Sequence, residues 1–151
     1  MNGSRAESIQ IRPFLETDYE AVAALWRDSE GLTLRSSDSA HAVCAYLSRN
    51  PGLSFVATLH GCVIAAALVG TDGRRGYLQH LTVDQQHRSL GVGKRLLKRV
   101  VSALAAQGIA KTHLFVHADN TRARQFYMRE GWQLRDEVVM YSFNASDDDN
   151  V

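Results

Sequence analysis

Between Leu81 and Leu97 the chain runs Leu-Thr-Val-Asp-Gln-Gln-His-Arg-Ser-Leu-Gly-Val-Gly-Lys-Arg-Leu-Leu. The stretch begins as a strand, turns through polar residues and two glycines, and ends as a helix with a basic first turn. Such a junction can hold a diphosphate. The first amides of a helix have no intrahelical acceptor, and the aligned peptide dipoles add partial positive charge there. Gly91 and Gly93 lack a Cβ, so an anion can approach the backbone, while Arg88, Lys94 and Arg95 add formal charge. Spacing excludes two familiar phosphate loops. The nucleotide-hydrolase loop needs four residues between its glycines, then Lys and Ser or Thr, whereas one residue separates Gly91 from Gly93. The dinucleotide fingerprint needs a third glycine where Leu96 stands. An ordinary strand-loop-helix whose glycines serve tight packing is the plain alternative.

A second constellation follows: Asn120-Thr121-Arg122-Ala123-Arg124-Gln125-Phe126-Tyr127, then Glu130-Gly131-Trp132. On a helix, Ala123 and Tyr127 share a face, and small Ala123 allows close approach to a neighbour. A capped amphipathic helix with aromatic core residues would read the same way. Taken in order, Arg88-x-x-Gly91-x-Gly93 after Leu81-Thr82-Val83, and the Asn120-to-Trp132 pattern after it, resemble the two motifs of the GNAT superfamily of N-acetyltransferases. The resemblance covers roughly residues 9–143. It implies acetyl-CoA as the acetyl-donor co-substrate. Leu81, Thr82 and Val83 would lie beside the pantetheine arm, which pairs with the strand edge through the backbone of Leu81 and Val83. Amides of Ser89, Leu90, Gly91, Val92, Gly93 and Lys94 would hold the pyrophosphate next to Arg88. Asn120 would lie near the pantetheine and Tyr127 near the thioester sulfur.

The activity this implies is direct transfer of an acetyl group to a primary amine of a small molecule, protein or peptide. A non-catalytic acetyl-CoA-binding sensor module of the same fold is the alternative. Direct attack requires a neutral amine, a donor to the oxyanion (a backbone N–H around Leu81) and a proton for the departing thiolate. Tyr127 is the candidate for the last task, a packed aromatic being its plain alternative. Many relatives place a Glu or His on the fourth strand, four or six residues before the valine; those positions are Gln79 and Tyr77. Gln79 cannot act as a base but can orient water or the acceptor. Enzymes that acetylate ribosomal-protein N-termini carry a Glu five residues before the motif Asn, where this chain has Phe115, which argues against peptide N-terminal alanine. His117 shares a strand face with Phe115 and is a possible substitute. Strand alternation puts His80 opposite Gln79, a structural position. His113 and His117, four apart on a strand, would be separated by about 13 Å, so no metal site is expected.

The elements that must position these residues read as follows. A first strand covers residues 8–12, and a helix runs from Glu16 or Thr17 to about Ser29. A polar loop from Gly31 to Asp38, holding Arg35 and Asp38, leads to a second helix capped by Ser37 or Asp38. Strands at 53–59 and 62–69 join at His60-Gly61, and a fourth strand spans 76–83. The long helix spans 91–107, a fifth strand 112–116, and a helix capped by Asn120 ends near Glu130. A last strand is expected at 138–143, with one more near Gln133. This order predicts an α+β domain with the GNAT fold: a mixed, mostly antiparallel sheet of six to seven strands flanked by about four helices. The acceptor is expected between the first two helices, the 31–38 loop and the outer strands.

Composition narrows the class. A chain of 151 residues, 45% hydrophobic and 22% charged, suits one globular domain, 1–151, with a core over about 9–143 and flexible ends at 1–7 and 144–151. The net charge of +1 gives no overall pull toward nucleic acid or anionic membrane. The basic run Lys94-Arg95-Leu96-Leu97-Lys98-Arg99 reads as a solvated helix face rather than a nucleic-acid site. Cys44 and Cys62 are too few for a disulfide framework, and neither a signal-peptide core nor a membrane-length apolar run is present. A cytoplasmic protein, monomer or homodimer, is expected.

Overall fold

The computed structural model describes residues 2–151. A short helix, α1 (Asn2–Glu7), occupies most of the N-terminal stretch expected to be flexible; Met1 lies outside the described residues. Strand β1 (Ile9–Pro13) follows, then a 3-10 turn at Glu16–Asp18 running into α2 (Tyr19–Arg27). Arg12 and Asp18 pin that corner with two hydrogen bonds of 2.7 and 2.8 Å, and the Asp18 carboxylate also accepts from the Leu15 N–H. The cap of α3 (Ala40–Arg49) is Ser39, whose Oγ accepts from the Ala42 N–H at 3.2 Å. Ser37 and Asp38 belong instead to a separate 3-10 turn.

Strands β2 (Phe55–Leu59) and β3 (Cys62–Thr71) form a hairpin, with positive φ at both His60 and Gly61 as a tight hairpin turn requires. Then come β4 (Gly76–Val83), α4 (Val92–Ala106), β5 (Thr112–Leu114) and α5 (Thr121–Arg129). The five strands lie in sequence order, β1 to β5, antiparallel throughout except the parallel β4–β5 pair, whose crossover is α4.

Both faces of the sheet are covered. On one, Leu96, Val100 and Leu104 of α4 pack on Phe55, Ala57, Ala65, Ala67, Val69 and Leu78. On the other, Val22 and Trp26 of α2 and Val43 of α3 pack on Val56, Ala66 and Leu68. Burial from both sides is why β3 reads as a continuous run of small and apolar residues instead of an alternating one.

Two expectations are corrected. Among the described residues the sheet has five strands, not six to seven, because residues 133–143 form no strand: Val138, Val139, Met140, Tyr141 and Phe143 are exposed. Strand β5 stops at Leu114, two residues short of the expected end.

Candidate active site

The site is made by two strands that part. Strand β4 pairs with β5 only at Gly76–Thr112, Tyr77–His113 and Leu78–Leu114. From Gln79 to Val83 its edge toward β5 has no strand partner, so its backbone groups there are open to an extended ligand, apart from the Val83 carbonyl, which accepts from Arg88 Nε at 3.4 Å. The gap is a cleft of about 650 Å³. Leu81, Thr82, Val83, Arg88, Ser89, Gly91, Val92, Gly93 and Lys94 line one end; Phe115, His117, Asn120, Arg122 and Tyr127 form the wall across it.

At the α4 end, Gly91 is the helix N-cap in a left-handed conformation (φ 74°), with nothing within 4 Å of where a Cβ would stand. A residue with a side chain would be strained there, and Gly91 itself lines the cleft. The first intrahelical bond runs from the Arg95 N–H to the Gly91 carbonyl, so the amides of Val92, Gly93 and Lys94 precede it and are available to a ligand. Val92 can offer only its backbone, because its side chain is buried in the core. Leu90 is half-buried against that core and is not among the residues that line the cleft.

The basic residues divide into two groups. Arg88 and Arg122 stand close enough that burial first, and then the charge of Arg122, pull the Arg88 guanidinium below its ordinary pKa. Two like charges facing one gap are what a diphosphate would neutralise. Arg95 instead donates to the carbonyls of Ala6 and Ile9, at 3.1 and 3.0 Å, and Arg99 lies 5.1 Å from the centroid of the Phe55 ring. Both of those are engaged with the protein itself. Arg122 had no assigned task in the sequence, although it sits two residues into the second motif.

A family model described as Acetyltransferase (GNAT) family matches residues 18–132. The chain belongs to this acetyltransferase family. An acetyltransferase of Sodalis glossinidius is 30% identical over 132 residues, 87% of this chain and 92% of its own. PaiA N-acetyltransferase of Thermoplasma acidophilum, solved in complex with coenzyme A, superposes with a TM-score of 0.78 at 21% identity, covering 85% of this chain and 92% of that one. AAC(6')-Iy, solved with a CoA-linked bisubstrate analogue, gives 0.71 at 20% identity, covering 91% and 99%. These two likenesses show the shared GNAT fold.

Within this GNAT framework, Tyr127 lies against Phe126 and Trp132, ring centroids 5.1 and 5.8 Å away, and among the described residues no group hydrogen-bonds its hydroxyl. Burial pushes that hydroxyl well above the ordinary phenol range, so it stays protonated and can donate. Asn120 caps α5 through Oδ1, which accepts from the Ala123 N–H at 3.1 Å. Its Nδ2 faces Gly31 (φ 75°), where a Cβ would come within 2.6 Å, so the loop after α2 closes directly onto the second motif.

The α2–α3 side of the sheet differs from the expectation at His80. The β3–β4 register slips between Leu68, paired with His80, and Val69, paired with Leu78, which leaves Gln79 as an extra residue. Alternation fails across that bulge. Gln79 Nε2 reaches the Tyr46 hydroxyl of α3 at 3.3 Å, and His80 reaches Trp26 of α2, ring centroids 5.0 Å apart. Both residues therefore serve the same side of the sheet. His80 Nε2 is also 2.7 Å from Asp38 Oδ1, while Asp38 Oδ2 accepts from the Arg35 N–H at 2.9 Å. His80 lines the cleft; Asp38 both shapes the loop and holds the imidazole. Tyr46 is fixed over Gly70, where a Cβ would meet its hydroxyl at 2.2 Å. His113 stacks near Tyr77, and the described residues hold no group of three or more His, Cys, Asp or Glu able to bind a metal.

Proposed function

We propose that this protein transfers the acetyl group of acetyl-CoA directly to a primary amine entering from the α2–α3 side. The observation that carries the reading is the unpaired edge of β4 running into the free amides of α4 beside Arg88 and Arg122. Bound there, acetyl-CoA supplies an activated acetyl thioester. Leu81, Thr82 and Val83 hold the pantetheine arm along the strand. Amides of Ser89, Leu90, Gly91, Val92, Gly93 and Lys94 hold the diphosphate, Arg88 balances its charge, and Asn120 flanks the arm. Tyr127 keeps its proton until the thiolate departs and then donates to it. Gln79, held by Tyr46, orients the acceptor or a water.

The task with no holder in the sequence, accepting the amine's proton, we assign to His80. With Nε2–H donating to Asp38, Nδ1 is the basic atom of the ring. A base held by a carboxylate in the cleft favours turnover over passive binding of the thioester. The test is release of free thiol with a panel of small amines and peptides. Turnover is expected with at least one amine, falling on the order of 100-fold in His80→Gln. Tight acetyl-CoA binding with no thiol release from any amine would overturn the reading.

A further inference from the structure

Two arginines and a carboxylate line the same cleft: Arg88 on the turn after β4, Arg122 on the first turn of α5, and Glu30 on the loop after α2. One contact brings the carboxylate to the arginines. A Cβ on Gly31 would come within 2.6 Å of Asn120 Nδ2, so the loop is pressed against the start of α5. Glu30 is one residue before Gly31, and Arg122 is two residues after Asn120. The loop is also tied to the turn that carries Arg88, where Gln85 Nε2 donates to the Asp28 carbonyl at 3.3 Å. Burial and then Arg122 lower the pKa of the Arg88 guanidinium, whereas the charge of Glu30, and after it that of Asp84, acts the other way.

Of these two carboxylates, Asp84 is engaged, with Oδ2 standing 2.5 Å from His87 Nδ1. Glu30 is exposed and makes no hydrogen bond or ion pair among the described residues. Packing does not require it there. The helix before it gives no reason either, since a negative charge just past the C-terminus of α2 gains nothing from that helix's dipole. An acid lining a site for a diphosphate breaks the electrostatic rule that Arg88, Arg122 and the α4 amides follow. Local conflicts of this kind belong to positions with a function.

We propose that Glu30 is a release residue, whose carboxylate opposes the diphosphate of CoA beside Arg88 and Arg122 and so shortens the stay of the product in the cleft. This rests on the assignment of the α4 turn to that diphosphate. In the empty cleft the carboxylate balances two like charges. With CoA bound, phosphate oxygens take both arginines, and Glu30 is left facing a group of its own sign. The acetyl thioester and the free thiol carry the same diphosphate, so whatever holds the donor also holds the product. A turn that gripped it too well would slow the last step of each turnover, the departure of CoA. Glu30 acts on the diphosphate and takes no part in the transfer itself.

Calorimetric titration of CoA into the full chain and into Glu30→Gln, at low salt and at about 0.5 M salt, tests this. At low salt Glu30→Gln is expected to bind CoA roughly fivefold more tightly, and at high salt within about twofold of the parent. Glu30→Asp, which keeps the charge, should stay within about twofold of the parent at both. With an amine found by thiol release, steady turnover of Glu30→Gln should fall roughly twofold or more while the first turnover keeps its rate. Equal or weaker CoA binding by Glu30→Gln overturns the proposal, as does a gap that salt leaves intact. Steady turnover that matches the parent overturns it too. A parent chain that binds no CoA would instead overturn the diphosphate assignment, and this proposal with it.

Discussion

Tyr127 is half-buried, and among the described residues no group hydrogen-bonds its hydroxyl, which leaves it free for the proton donation proposed above. Tyr127→Phe should therefore fold normally and bind acetyl-CoA within about twofold of the parent, with kcat reduced roughly 10- to 100-fold. Equilibrium binding and single-turnover thiol release measure the two separately, and equal kcat would reduce Tyr127 to packing. Gly93 separates folding from binding in a different way. A Cβ there would stand 3.4 Å from Phe126 Cζ and 3.6 Å from Val83 Cγ2, contacts the fold can take. Gly93→Glu is expected to remain folded yet lose acetyl-CoA affinity by at least 100-fold, since bulk and negative charge would meet the diphosphate. Calorimetric titration with acetyl-CoA checks it. These residues were legible in the sequence because each acts through local main-chain geometry or a short motif on one helix.

At the scale of elements, the corner between β1 and α2 is held by the Asp18 carboxylate, almost fully buried between Arg12 and the Leu15 amide. The Arg12 hydrogen bond, against the opposing effect of burial, holds the Asp18 carboxyl below its usual pKa. A depressed folded-state pKa gives stability that is present above the unfolded carboxylate value and is lost as pH falls through the folded value. Asp18→Asn should cost about 2 kcal/mol at pH near 7, a value kept modest because part of Arg12 is in solvent. The gap from wild type should close progressively below about pH 4, as read by denaturant melts. The bulge at Gln79 is the counterpart that was not legible. Nothing in Tyr77-Leu78-Gln79-His80-Leu81 marks an extra residue, since the slip is a property of how β3 meets β4. Simple alternation consequently assigned His80 to the wrong side.

For the molecule as a whole, stability rests on a sheet sealed by α4 on one face and by α2 and α3 on the other. Leu104 is fully buried and lies over the start of β4, where a Cβ on Gly76 would come within 2.6 Å of its Cδ1. Leu104→Ala is expected to cost about 3 kcal/mol, lowering the denaturant midpoint with the slope unchanged. The cleft opens where β4 and β5 separate, at one margin of this sealed structure. The candidate site and the packed core thus draw on different parts of the same strand, β4, whose first half is flanked by β3 and β5 and whose second half pairs with β3 alone.

By itself the sequence determined the glycine turn that opens α4, the capped helix after β5 and the order of the elements up to α5. Each is written in contiguous residues through capping, glycine conformation and periodicity. Only the tertiary structure decided that Asp38 meets His80 across 42 residues, that Arg122 faces Arg88, and that Gly31 closes on Asn120. It also decided that the strand-like residues 138–143 stand outside their own sheet. Strand character is a local propensity, but pairing requires a free edge within reach, and reach is fixed by where the rest of the chain holds the two ends.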